Sequence, residues 1–181
     1  MKKNELEKIT LAGGCFWCIE AIFKRIRGVV TTMPGYSGGS KDNPTYKEVR
    51  SGKTGHAEAI HIEFDPKIIS LEILLEVFFK LHNPTTVNRQ GFDIGTQYRS
   101  VIFYRDEKQK DVALRVKAEI DKSGLYKNKV VTKIEAFKNF YNAEDYHQNY
   151  YDNNKNALYC RYIINPKIKK LFKNFDKLVS D

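Results

Sequence analysis

A cysteine flanked by glycines and aromatics is the feature most able to do chemistry in this chain. In Gly13-Gly14-Cys15-Phe16-Trp17-Cys18, Cys15 stands between a short predicted strand (residues 8–11) and the first turn of a predicted helix. Unpaired N–H groups and the positive dipole end of a helix stabilise a thiolate, so Cys15 is expected to ionise below the free value of about 8.5. Along the helix Ile19, Ile22, Phe23 and Ile26 form one apolar stripe, which Gly28 is expected to end. Trp17 falls nearly opposite, among Glu20 and Lys24, where it suits a ligand better than a core. The plainer alternative is a buried free cysteine beside packing aromatics. Cys-x-x-Cys also reads as half a zinc site or as a thioredoxin-like redox pair. Zinc needs two more ligands, whereas Cys160 and the four His are scattered singly. A thioredoxin-like motif places Trp before the first Cys; here Trp17 lies between the two.

A carboxylate can complete such a site. In the strand expected over residues 56–64, His56, Glu58, Ile60, Ile62 and Phe64 share one face, and Ala57, Ala59, His61 and Glu63 the other. A carboxylate on an apolar face has its charged form disfavoured and can act as a general acid. The plain alternative is a Glu near a strand end that reaches water. His56, beside Gly55, reads as a structural histidine. Acyl-transfer cysteine enzymes want a His base, which nothing here singles out. A thiolate attacking an electrophilic sulfur, with acid delivered to the departing oxygen, needs only Cys15, Glu58 and hydroxyl donors.

The elements that must position these groups fit one domain over residues 1–181. With 31 Lys+Arg against 22 Asp+Glu the net charge is +9, and 41% hydrophobic content can fill a core. Eleven Phe, eleven Tyr and one Trp exclude a disordered chain, and no apolar run is long enough to span a bilayer. The opening Met1-Lys2-Lys3-Asn4-Glu5 shows no signal-peptide pattern. Three cysteines suit a reducing, cytoplasmic setting. Further strands are expected at 29–33, 100–104 and 130–136, with helices after Ser70 and over 106–123. Residues 83–99 form a long irregular loop, of the kind usually tied to function. Asn165 and Pro166 are expected to start an amphipathic helix over 166–178, with Ile168, Leu171, Phe172 and Phe175 on one side. Its lysines suit either a docked helix with charges in water or a nucleic-acid or membrane surface; docking is the expectation. The element order is α+β, with helices on a mixed sheet.

Six blocks together resemble a known family: Gly13-Gly14-Cys15-Phe16-Trp17, Gly35-Tyr36-Ser37-Gly38-Gly39, Asn43-Pro44-Thr45-Tyr46-Lys47-Glu48-Val49, Gly55-His56-Ala57-Glu58, Gly95-Thr96-Gln97-Tyr98-Arg99-Ser100 and Ala143-Glu144-Asp145-Tyr146-His147-Gln148. In order and spacing, over about residues 9–170, they are similar to peptide methionine sulfoxide reductase A. The resemblance implies a two-layer α/β sandwich with a ferredoxin-like core, its mixed sheet covered by helices and long loops around the site. It implies reduction of the S epimer of methionine sulfoxide, free or in proteins. Cys15 would be the nucleophile, Glu58 the acid on the sulfoxide oxygen, and Tyr46 and Tyr98 its hydroxyl partners. Phe16 and Trp17 would seat the substrate methyl group, and Asp93 matches an acid associated with the site. Cys15 would become a sulfenic acid, then a disulfide reduced by thioredoxin. No metal or organic cofactor, nucleic acid or membrane is implied, and a monomer is expected. Cys160 matches a recycling cysteine of many relatives, while Cys18 stands where many have Gly. Cys160 is the preferred resolving thiol and Cys18 the alternative, since i and i+3 at a helix start can be bridged. The competing function is a dithiol–disulfide oxidoreductase using Cys15 and Cys18.

Overall fold

The computed structural model describes residues 5–180; the opening Met1-Lys2-Lys3-Asn4, on which the leader expectation partly rests, and Asp181 lie outside them. In chain order the elements are β1 (Glu7–Gly13), α1 (Phe16–Phe23), β2 (Val29–Ser37), α2 (Tyr46–Arg50), β3 (Ala57–Phe64), α3 (Leu71–Leu81), β4 (Arg89–Gln90), β5 (Asp93–Ile94), β6 (Ser100–Tyr104), α4 (Glu107–Lys122), β7 (Lys133–Ala136), β8 (Tyr141–Asn142), α5 (Tyr150–Asn153) and α6 (Asn165–Asn174). The main sheet runs β7-β6-β1-β3-β2-β8. All its pairs are antiparallel except β6 with β7. Within it β1-α1-β2-β3-α3-β6, in spatial order β6-β1-β3-β2, is the split βαβ pattern of a ferredoxin-like core.

Alternation along the strands sorts the side chains as expected. Ile9, Leu11, Ile60, Ile62 and Phe64 meet Ile19, Ile22, Phe23, Leu74, Leu75 and Phe78 in the main core. Ala12, Ala57, Ala59, Val101 and Phe103 face the other way, under Phe137 and Phe140. Small residues on that face allow a segment without regular structure to lie close against it.

Several boundaries depart from the sequence expectation. Helix α1 stops at Phe23 rather than continuing toward Gly28, because Arg25 turns its Nη1 back onto the Ala21 carbonyl and satisfies the last turn. Gly28 then turns the chain at φ +94° into β2. The long loop 83–99 is partly ordered: β4 and β5 pair as a short hairpin, followed by a single turn over Thr96–Tyr98. Strand β7 begins only at Lys133. Asn165 does not cap α6. A π-helical turn over Cys160–Ile164 runs straight into it, and Asn165 Oδ1 instead accepts from the Tyr151 hydroxyl at 2.6 Å. Helix α6 docks by its apolar side, with Leu171 buried and Ile168 and Phe175 packed on the core, against α1 and α3.

Candidate active site

The strand-to-helix turn after β1 builds the site's centre. Gly14 has φ +96°, and a Cβ there would come within 2.5 Å of Gln90 Cγ, so only glycine lets the β4–β5 hairpin close over this turn. Cys15 follows as the residue preceding α1 and is almost fully buried. Glu58 reaches the same point from β3, where it pairs in register with Tyr36. Its Oε2 accepts the Phe16 N–H at 3.1 Å, and the residue is 1% exposed. Burial pushes the carboxyl up to about 8, with the Phe16 N–H opposing and the Asp93 charge reinforcing the shift. Glu58 therefore keeps its proton at neutral pH.

The thiols depart from expectation. The first N–H of α1 serves Glu58, and burial pushes the Cys15 thiol well above its ordinary range, the opposite of what the helix start alone predicts. The neighbouring Cys15 thiol, with the nearby Lys167 ammonium, holds Cys18 down to about 6 despite its burial. The two neighbouring thiols are coupled, so their first ionisation belongs to the pair rather than to either sulfur alone. Lys167, read from the sequence as one more solvated lysine, reaches this pair from α6.

Tyr46 and Tyr98 stand with Glu58. Burial and the Glu58 charge push both phenols above their usual range, so each keeps its O–H for donation. Tyr46 opens α2, a helix not expected from the sequence although its Thr45-Tyr46-Lys47-Glu48 capping box was legible there. Asp93 lies close enough for its charge to act on Glu58 and Tyr98, and its Oδ2 accepts from the Tyr159 hydroxyl at 2.7 Å; that hydroxyl oxygen lies 3.8 Å from Cys18 Sγ.

Phe16 is buried against Tyr36, Tyr46 and His147, while Trp17 is partly exposed. Trp17 is held on three sides. Its Nε1 donates to His147 Nδ1 at 3.0 Å, the Tyr150 ring stacks on it at 3.6 Å and 7°, and Tyr159 meets it edge-on. Sequence reasoning missed His147, Tyr150 and Tyr159 as site residues, because only folding brings the segment after β8 back to α1. It missed Glu144 too, which accepts from the Tyr36 hydroxyl at 3.0 Å and the Tyr46 N–H at 3.3 Å. His56 is structural, accepting from Gly39 N–H and bonding the Lys41 carbonyl. Cys160 is fully buried in the same core as Cys15 and Cys18, and all three are free thiols. Among the described residues no group of three or more His, Cys, Asp or Glu could hold a metal ion.

This geometry matches known proteins. The family model for peptide methionine sulfoxide reductase matches residues 7–178. The chain belongs to the peptide methionine sulfoxide reductase family. A relative from Sulfolobus acidocaldarius, peptide methionine sulfoxide reductase MsrA, is 54% identical over 171 residues, 94% of this chain and 96% of that protein. The reduced crystal structure of Mxr1 from Saccharomyces cerevisiae is similar at TM-score 0.78 and 40% identity, covering 86% of this chain and 89% of that one. Mxr1 in complex with Trx2 is similar at TM-score 0.56 and 28% identity, covering 83% and 89%. Membership in the peptide methionine sulfoxide reductase family favours sulfoxide chemistry over a simple dithiol–disulfide oxidoreductase.

Proposed function

We propose that the protein reduces the S epimer of methionine sulfoxide, free or peptide-bound, and that Cys15 is the nucleophile. The observation that carries this reading is a buried carboxyl that keeps its proton to about pH 8, hydrogen-bonded to the residue after a buried thiol. The Cys15 thiolate attacks the sulfoxide sulfur while Glu58 gives its proton to the oxygen, with Tyr46 and Tyr98 as further donors. The hydroxyl then passes from the substrate sulfur to the Cys15 sulfur as the bond between the two sulfurs breaks; methionine leaves with its lone pair restored and Cys15 is left as a sulfenic acid. A second thiol then attacks that sulfur and expels water, forming a disulfide. A dithiol such as thioredoxin supplies the two electrons that regenerate both thiols; the Trx2 complex of the related Mxr1 supports this. Trp17 and Phe16 seat the methyl group, and Asp93 acts by holding Tyr159 against the thiol pair.

The mutual influence of the neighbouring Cys15 and Cys18 thiols supports Cys18 as the partner in the first disulfide. Cys160, preferred from the sequence, would have to leave the core in which it is fully buried. Three free thiols suit a reducing, cytoplasmic location, and the reading takes the chain to work as a monomer without a cofactor. Thioredoxin-coupled NADPH consumption with N-acetyl-methionine sulfoxide tests the activity. It is expected to run with the S epimer and to vanish in Cys15→Ser; turnover by Cys15→Ser would overturn the assignment. Mass mapping of the protein after one equivalent of sulfoxide is expected to show Cys15–Cys18, and a Cys15–Cys160 bridge in its place would assign resolution to Cys160.

A further inference from the structure

Glu20 is a buried carboxylate for which the reaction above has no use. It lies one turn along α1 from Trp17, and its Oε1 accepts the Asn149 N–H at 3.1 Å. Burying an acid is costly unless its oxygens are hydrogen-bonded or paired, and here the donors come from the Asn149 turn. Burial raises its pKa, and the Asn149 and Tyr150 N–H groups and Lys24 pull it back. Asn149 sits in the left-handed region at φ 54°, ψ 32°, which Asn tolerates better than most residues, and it starts α5. That turn leaves the next ring, Tyr150, flat on Trp17 at 3.6 Å. Lys24 and Arg25 also fasten the segment, through Asn149 Oδ1 and the Asp152 carboxylate, but these pairs are partly exposed and contribute less.

We propose that Glu20 is a positioning residue for Trp17, holding the Asn149 turn so that Tyr150 backs the indole that seats the substrate. The proposal rests on the sulfoxide reductase reading for its kinetic consequence alone. Loss of the hold lets the indole move, which weakens substrate binding without touching the reacting thiol or acid. Trp17 is the single tryptophan of the chain, so its fluorescence reports this directly.

The test is the emission and acrylamide quenching of Trp17 in the reduced protein, with kcat and KM for N-acetyl-methionine sulfoxide. In Glu20→Met, which has no acceptor, the emission is expected to shift and quenching to rise. KM should rise about tenfold, the size of a lost buried hydrogen bond to a charged group, with kcat within about twofold. Glu20→Gln keeps an acceptor for Asn149 and is expected to restore most of both, while Tyr150→Leu should reproduce the shift. A folded Glu20→Met with wild-type emission and KM overturns the proposal, as does a fall in kcat alone. Should Glu20→Met not fold, Tyr150→Leu decides, and unchanged emission and KM there overturn it. If the wild-type protein fails to reduce sulfoxide, the functional reading falls, and the fluorescence comparison still decides whether Glu20 holds Trp17.

Discussion

At the residue scale, protonation controls the chemistry. Glu58 carries its proton below about 8 and loses it above, so its use as an acid predicts a falling rate on the alkaline side. The thiol pair must lose a proton first, near 6 on the Cys18 side, which predicts a falling rate on the acid side. A kcat/KM profile for sulfoxide reduction under single-turnover conditions is therefore expected to be bell-shaped between these limbs. Glu58→Gln should lower the rate about 10²- to 10⁴-fold and erase the alkaline limb. An unchanged alkaline limb in that variant would dismiss Glu58 as the acid. Cys18→Ser should move the acid limb upward, because Cys15 left without its thiol partner retains the burial that raises it. Of these residues, Cys15 and Glu58 were legible in the sequence from motif and strand phase, and the two tyrosines only from the family resemblance. The direction of the Cys15 shift was not, since it depends on how much of the thiol the fold hides from water.

At the element scale, local signals predicted local structure well where a side chain satisfies backbone within the same turn. Ser70 caps α3 by accepting the Ile73 N–H, and Asp106 caps α4 by accepting the Gln109 N–H. The Gln109 side chain in turn accepts the Arg105 N–H, one residue before the cap. Elements that rest on distant partners were not legible. The hairpin β4–β5 is two residues on each side and closes over Gly14, and the π turn before α6 depends on packing against α1. Helix α6 illustrates the docking alternative: its lysines stay largely outside while Leu171 is buried. Leu171→Ala is expected to cost about 2–5 kcal/mol, read from urea unfolding. A loss under about 0.5 kcal/mol, the size of an ordinary surface substitution, would mean that α6 is not part of the cooperative core.

At the scale of the whole molecule, a polar chain runs through the interior beside the site. His82 lies under Gly13 and bonds the Phe78 carbonyl and the Ser100 hydroxyl, which continues to Thr132. Burial pushes His82 down to about 3, so the folded protein keeps it neutral. An unfolded histidine protonates near 6.5, so between these values the unfolded state binds more protons and stability falls as pH falls. From pH 7 to pH 5 this group is expected to remove about 2 kcal/mol, seen as a lower melting temperature. A melting temperature equal at the two values would contradict a neutral buried His82.

The sequence by itself determined the α+β order of strands and helices, the faces of β3, and Cys15 and Glu58 as a candidate pair, while the ferredoxin-like core was implied only by the family resemblance. The order, the faces and the pair follow from periodicity, capping and short motifs, in which cause and effect lie within a few residues. Only the tertiary structure decided that the Cys15 and Cys18 thiols are coupled, that Lys167 and Tyr159 attend that pair, and that His147, Tyr150 and Glu20 hold Trp17. The reason is physical. Desolvation and hydrogen bonding between segments more than 100 residues apart exist only once the chain has closed, and those terms set the charge on each group at the site.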